Sequence, residues 1–438
     1  MKRKRISRRG FIGGSVSALA GFGLSKRAML FGQASDTSVA SPKIKEYRTL
    51  GRTGFKCSDI GFGSSGVTDP ALIGAILDAG VNYVDCAEGY LRGRVEKTIG
   101  EAIKNRERKK VFLTTKLGLR KDVTKQNVIE RANKCLERLQ SEYIDCLMIH
   151  MPSTVAALNN EAYHSAIKDL KAEGKVRFSG LSNHGSQWGD VPETMEKVHL
   201  AAAEDGRFDM ALLVYNFIQH EMGENILKAY KKKDVGTTIM KTNPVLNYLE
   251  RKVEMDKAEE EGRDIPPRAR ALMERLKARA DRAEGFKNKY DLTHFNEVRD
   301  AAIKFVLNNP AVSSACPTIL NYSDLEAYVS LSGSKFDLKA KNALVAYETT
   351  YGEFYCRHAC GKCEPRCPHS VPVNTIMRYN HYFIGQGKEK AAMLEYASLP
   401  TSRADSCSQC EGHCEEACPY GVPVQGLLMW AHKTLTLG

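Results

Sequence analysis

Residues 111–150 read VFLTTKLGLRKDVTKQNVIERANKCLERLQSEYIDCLMIH. A short apolar, β-branched run (VFLTTKL) gives way to an amphipathic stretch (KQNVIERANKCLERL), and then to a second apolar run (IDCLMIH). Strands that are apolar without alternation are buried on both faces, and a helix between two of them supplies the crossover that a parallel pair needs. The pattern recurs between residues 56 and 332. SDIGFGSS, NYVDCAE, VRFSGLSN, DMALLVYN, VGTTIMKT and VSSAC complete eight strand candidates, each followed by a segment that reads as helix. Eight such units predict an α/β fold, a (β/α)8 TIM barrel over residues 41–335. The leading EYRTLGRTGFKCS reads as a hairpin with Gly54 at its turn, capping the barrel's bottom.

One stretch breaks the rhythm. At about 247–292, after the seventh strand, the chain is rich in Glu, Lys, Arg and Ala at helical spacing, which predicts two charged helices broken at Pro266-Pro267. A solvated excursion is the expected role, and a lid over the active mouth the sharper alternative.

The 438 residues suit a domain of about 250–300 residues plus a smaller one. Composition is that of a globular protein, 42% hydrophobic and 26% charged, with no apolar run long enough for a stable membrane span. The net charge of +12 does not imply a nucleic-acid partner. Residues 1–27 hold eight Lys or Arg and no acid, so the charge falls to +4 without them. Those residues read as an export signal spanning, with its linker, residues 1–40. Basic KRKR precedes Ser7-Arg8-Arg9-Gly10-Phe11-Ile12, which resembles the twin-arginine motif, and GGSVSALAGFGL follows as a short apolar stretch. The expected partner is the twin-arginine (Tat) translocon, and the expected location the periplasm or another exported compartment.

Thirteen cysteines divide in two. Cys57, Cys86, Cys135, Cys146 and Cys316 are scattered through apolar segments, where buried, inert thiols are expected. The other eight fall in two runs, Cys356-x3-Cys360-x2-Cys363-x3-Cys367-Pro and Cys407-x2-Cys410-x3-Cys414-x3-Cys418-Pro. After each run, CPHSVPVNTIM and CPYGVPVQGLL repeat one another 51 residues apart, which predicts a module of two similar halves over 345–438. Four thiolates in one loop are what a [4Fe–4S] cube needs. The alternative is a pair of four-cysteine zinc sites, although structural zinc usually pairs well-separated Cys-x-x-Cys knuckles. Both runs resemble the bacterial two-cluster ferredoxin signature, with one spacer in each lengthened from two residues to three. That resemblance implies a small, mostly helical ferredoxin-like domain with exchanged ligands. Cys356, Cys360, Cys363 and Cys418 would hold one cube, and Cys407, Cys410, Cys414 and Cys367 the other. Two clusters would form an electron relay to a redox partner protein.

Polar residues gather at the ends of the predicted strands, where barrel enzymes keep their chemistry. Asp85 with Tyr90 follows the second strand, Lys116 the third, His150 the fourth, Ser182-Asn183 the fifth and Tyr215-Asn216 the sixth. Together with YRTLGRTGFKCSDIGFG, VDCAEGY, TTKLG, YIDCLMIH, GKVRFSGLSN and VYN, these residues resemble the aldo-keto reductase family over roughly 46–332. The resemblance implies a catalytic tetrad. Tyr90 would protonate a carbonyl oxygen, Lys116 paired with Asp85 would lower the tyrosine pKa, and His150 would orient the carbonyl. It further implies a nicotinamide, NADP(H) or NAD(H), with Tyr215 stacked on the ring and Ser182 and Asn183 on its carboxamide.

Two departures weaken that grip. Leu212 stands where the family has a carboxamide-binding Gln. The segment 316–328 offers Thr318, Ile319, Asp324 and Tyr328 where a cation usually meets the 2′-phosphate. The sequence thus predicts an exported oxidoreductase acting on a small carbonyl or alcohol, coupled to two [4Fe–4S] clusters. The alternative is an electron-transfer or binding subunit whose barrel serves as a docking scaffold.

Overall fold

The eight predicted strands all form, from β3 (Phe62–Gly63) through β4 (Tyr83–Asp85), β5 (Phe112–Leu117), β6 (Ile144–His150), β7 (Val176–Asn183), β8 (Met210–Val214) and β9 (Gly236–Met240) to β10 (Ser314–Ala315). They make one sheet in chain order, and every pairing is parallel. The sheet closes on itself. Ile60 bridges Ala315 and Gly63 bridges Thr318, with Gly61 N donating to Ala315 O at 2.7 Å and Gly63 N to Pro317 O at 2.8 Å. This computed structural model describes residues 42–185, 193–244, 295–386, 388–400 and 402–436, with isolated positions between 259 and 274. The signal expected in residues 1–40 and nearly all of the charged insertion lie outside the described residues.

Inside the barrel, Tyr83, Phe112, Cys146, Met148, Met210, Leu212 and Cys316 pack together. The ring of Phe112 stacks between Tyr83 (6.0 Å) and Phe178 (6.1 Å). The predicted hairpin, β1 (Tyr47–Thr49) paired antiparallel with β2 (Lys56–Ser58), delivers Leu50 into this cluster and so plugs the bottom. Gly54 ends its turn at φ +70°, as expected. Gly51, at φ +48°, is required by closeness as well, since a Cβ there would lie 2.3 Å from Gly236 N. The five scattered cysteines are all buried and none of the thirteen forms a disulfide.

Around the sheet run α1 (Pro70–Asp78), α2 (Arg94–Ile103), α3 (Lys125–Leu139), α4 (Glu161–Ala172), α5 (Met195–Asp205), α6 (His220–Lys232), α7 (Phe295–Leu307) and α8 (Tyr322–Val329). Several begin where a short polar side chain accepts an otherwise orphaned helix N–H, as Asp69, Thr124, Asn160 and Thr194 do. Each apolar stripe then packs on the outer face of the sheet.

The chain after the barrel is helical, as predicted: α9 (Leu338–Tyr351), α10 (Val373–Gln386), α11 (Glu389–Ala397) and α12 (Val424–Leu435). Its two halves are built alike. Glu364 accepts from Asn374 N at 2.7 Å, while Asn374 Nδ2 donates to Arg357 O at 2.7 Å. Fifty-one residues on, Glu415 accepts from Gln425 N at 2.8 Å, and Gln425 Nε2 donates to Cys407 O at 2.7 Å. Each staple ties a cysteine loop to the helix that follows. This part does not stand apart from the barrel. Phe217 and Ile218 beyond β8, and Val298, Ala301 and Ala302 of α7, share one core with Tyr347, Tyr351, Phe354 and Ile376.

Candidate active site and cysteine sites

Lys116 ends β5 with its side chain inside the barrel and 0% exposed. Its Nζ donates to Asp85 Oδ2 and to the Cys86 carbonyl, both at 2.6 Å, and lies 3.5 Å from the Tyr90 hydroxyl. Burial pulls this ammonium toward its neutral form. Asp85 and Tyr90 outweigh that and raise Lys116, so it stays charged. Burial raises Asp85, and Lys116 opposes it. The Tyr90 phenol is pushed up by burial, with Lys116 as the main influence lowering it. The imidazole of His150 stands edge-on to the Tyr90 ring, centroids 6.1 Å apart. Burial first, then the charges of Lys116 and Arg378, lower His150 to about 3. It is therefore a neutral ring at any physiological pH, able to donate or accept one hydrogen bond. The four predicted catalytic residues come together.

The backbone around them is strained. Leu91 and Arg92 are both left-handed (φ +47° and +56°), directly after Tyr90, and so are Met151 after His150 and Lys241 after β9. Non-glycine residues held there cost about 1–3 kcal/mol each and concentrate at functional sites.

The expected nicotinamide contacts divide. Ser182 is buried, and its Oγ finds no hydrogen-bond partner among the described residues. Asn183 is occupied, because Nδ2 donates to Pro152 O and Oδ1 accepts from Gly185 N, both at 2.9 Å. Tyr215 faces away. It continues the parity of Ala211 and Leu213, which pack outward, whereas Leu212 points into the barrel. Its ring lies 5.3 Å from Phe305 of α7, and Asn309 Nδ2 donates to its hydroxyl at 3.3 Å. The stacking role expected of Tyr215 is thus corrected: the residue belongs to the layer between sheet and helices. In 316–328, Leu320 and Tyr322 are exposed and Asp324 accepts from Leu320 N. The nearby Arg299 stacks 5.6 Å over Tyr328 and is ion-paired to Asp300. These residues do not fit the family's nicotinamide grip.

Among the described residues, α10 lies against the tetrad. Arg378 of α10 is 2% exposed and sits against Gly185, so close that a Cβ there would lie 2.8 Å from Nη1. Tyr382, one turn on, is near enough to Tyr90 to influence its ionisation. Lys241 Nζ lies 5.0 Å over the Tyr382 ring, and Lys388 Nζ donates to Ser65 Oγ at 2.8 Å. The first cysteine loop is bolted beside them. Gln219 Nε2 donates to His358 O at 2.7 Å and Gln219 Oε1 accepts from His358 N at 2.9 Å, and Asn216 Nδ2 donates to Tyr355 Oη at 3.2 Å. Sequence reading missed Lys241, although it directly follows the strand TTIM, at the same mouth that Lys116 serves near the end of its own strand. Arg378 and Tyr382 carried no signal, since nothing in an amphipathic helix says which surface it will cover.

Cys356, Cys360, Cys363 and Cys418 line one recess, together with Arg357, Lys362 and Tyr420. Cys407, Cys410 and Cys414 lie near Cys367, close enough that these thiols raise Cys407 further, to about 12, beyond the larger effect of burial. Cys418 thus lies with the first run and Cys367 near the second. Among the described residues no three His, Cys, Asp or Glu side chains converge as a single metal ion requires.

With this geometry in view, a family model described as the Aldo/keto reductase family matches residues 67–344. The chain belongs to that family. It is 28% identical over 214 residues to Aldo-keto reductase YhdN of Bacillus subtilis (strain 168), covering 44% of this chain and 61% of that protein. It is 32% identical over 159 residues to the NADH-specific methylglyoxal reductase of Escherichia coli (strain K12), covering 31% and 49%. The chain thus spans about half to three-fifths of these curated relatives. Among solved structures it is similar to the aldo-keto reductase AKR11C1 from Bacillus halodurans (holo form), with TM-score 0.48, 19% identity and coverage of 70% and 96%. A second is an aldo/keto reductase from Klebsiella pneumoniae in complex with NADP and acetate, with TM-score 0.48, 17% identity and coverage of 72% and 99%.

Proposed function

We propose that this family member is an exported oxidoreductase that interconverts a small carbonyl and its alcohol, with two [4Fe–4S] clusters in its C-terminal module. The observation that carries the reading is the buried Lys116 ammonium, held by Asp85 and 3.5 Å from the Tyr90 hydroxyl. Were a bound hydride donor to reduce the carbonyl carbon, Tyr90 Oη would give its proton to the oxygen, and the adjacent ammonium would stabilise the phenolate left behind. Neutral His150 donates a hydrogen bond that orients the carbonyl without competing as an acid. NADP(H) or NAD(H), the donor class the family implies, would need contacts other than Asn183 and Tyr215.

Cys356, Cys360, Cys363 and Cys418 would hold one cluster, and Cys407, Cys410, Cys414 and Cys367 the other. Sulfurs spread around a recess, rather than converging on one point, suit a four-iron cube better than one zinc ion. Such clusters exchange single electrons when bound, so a redox partner protein is expected. The Ser7–Ile12 motif supports export through the Tat translocon.

Anaerobic absorbance of the purified chain, with iron and zinc counted and NADPH then NADH added, tests both halves. Broad absorbance near 400 nm (roughly where such clusters absorb), with about eight iron per chain and no zinc, is expected. Turnover of a carbonyl that Tyr90→Phe abolishes is expected as well. Stoichiometric zinc would overturn the cluster assignment. The spent Asn183 and outward Tyr215 favour one second reading, a barrel that serves only as a scaffold; no carbonyl turnover by the wild type would leave that reading standing, and turnover unaffected by Tyr90→Phe would overturn the role of Tyr90.

A further inference from the structure

Three cations that no catalytic role requires meet above the tetrad. Lys241 comes from the end of β9, Arg378 from α10 and Lys388 from the turn after α10. Lys241 Nζ and Lys388 Nζ flank a single ring, that of Tyr382, at 5.0 and 5.9 Å, and Arg378 lies one turn away on the same helix. Lys241, Tyr382 and Lys388 keep accessible surface although each is strongly desolvated. Each is thus largely covered by protein while still open to solvent.

Among the described residues, the charge around this ring is one-sided. Among the described residues neither Lys241 nor Lys388 has a carboxylate partner. The charges acting on Lys241 are Lys388 and Arg378, both like its own. Asp85, the acid of the tetrad, is held by Lys116. Glu364 is felt by Arg378 but accepts from Asn374 N, and Glu395 acts on Tyr379 and Tyr382. Like charges gathered away from water repel one another, and the repulsion is relieved when an anion enters.

We propose that Lys241, Arg378 and Lys388 form an anion subsite above Tyr90, and that the substrate carries a carboxylate or phosphate beside its reacting carbonyl. The substrate assignment rests on the carbonyl chemistry proposed above, whereas the subsite itself does not. The subsite spans two parts of the chain, so the C-terminal module contributes to substrate selection as well as holding the cysteines.

Calorimetric titration of the full chain, prepared anaerobically, tests this with inorganic phosphate, pyruvate, methyl pyruvate and NADPH. Pyruvate and phosphate are expected to bind, with methyl pyruvate at least about tenfold weaker than pyruvate. Lys241→Gln and Lys388→Gln should each weaken pyruvate about tenfold or more and leave methyl pyruvate unchanged, while Lys241→Arg restores binding. Circular dichroism and iron content matching the wild type establish that the variants are folded. Equal binding of pyruvate and its ester, or variants that bind pyruvate as the wild type does, would overturn the subsite. A loss confined to NADPH would overturn it as a substrate site. Lys241-dependent pyruvate binding in a protein that turns over no carbonyl would sustain the subsite while the proposed reaction fell.

Discussion

Replacing Lys116 with methionine removes an ammonium that lies 2.6 Å from both Asp85 Oδ2 and the Cys86 carbonyl, and fills nearly the same volume. Asp85 is 3% exposed and would be left as an uncompensated buried carboxylate. Breaking such a pair costs about 3–5 kcal/mol. Protonation limits the penalty. Without Lys116, burial alone governs Asp85 and drives its pKa far above the ordinary carboxylate value, and each unit is worth about 1.4 kcal/mol. The deficit must therefore depend on pH. A carboxyl whose folded pKa is raised costs nothing below its unfolded value of about 3.9. It costs progressively more as pH rises toward the folded value. Lys116→Met should approach wild-type stability near pH 4–5 and fall furthest behind at pH 7–8. The double variant Lys116→Met/Asp85→Asn should recover most of the loss, leaving roughly 1–2 kcal/mol for the unpaired Cys86 carbonyl and amide. Denaturant unfolding followed by circular dichroism between pH 5 and 8, with slopes compared to keep the midpoints interpretable, measures this. A deficit under about 1 kcal/mol, one flat with pH, or a double variant no better than the single would refute a charged Lys116–Asp85 pair.

Three further outcomes follow from the same geometry. Gln219→Ala strands the buried N–H and C=O of His358, which should cost about 2–4 kcal/mol and show as faster hydrogen exchange across residues 355–360. Gly51→Ala should destabilise by more than about 3 kcal/mol, because its Cβ would meet Gly236 N at 2.3 Å at positive φ. Gly54→Ala, also at positive φ but with nothing within 4 Å, should cost only about 1 kcal/mol, and thermal melts of the two compare them. Pyruvate affinity should fall as pH rises through about 7, where Lys241 loses its proton because burial, with Lys388 and Arg378, lowers it. Of the other titratable groups facing it, Lys388 is lowered to about 8, Tyr382 is raised, and His150, His184 and His358 are lowered and neutral. Calorimetry from pH 6 to 9 reads the change, since the pyruvate carboxylate keeps its charge throughout.

The barrel was legible because its information is local. Each strand is a continuous apolar run of a length that allows nothing else, and closure needs only eight of them in order. The tetrad was legible for a related reason: strand ends in a parallel barrel all open on one mouth, so Asp85, Lys116 and His150 converge wherever the loops go. The two-part build of the C-terminal segment was legible through the 51-residue repeat, which the paired staples of Glu364 with Asn374 and Glu415 with Gln425 bear out in space. Tyr215 was misread because MALLV, the strand leading to it, is apolar at every position. A strand buried on both faces carries no alternation to say which side chain points inward.

What only the tertiary structure decided is the roof over the site. The placing of Arg378 and Tyr382 above Tyr90 depends on contacts between residues more than a hundred positions apart, such as Phe217 with Tyr347 and Gln219 with His358. An amphipathic helix announces that it will bury a face. Which surface receives that face is set by shape and by unpaired polar groups on both sides, and those exist only once both halves have folded.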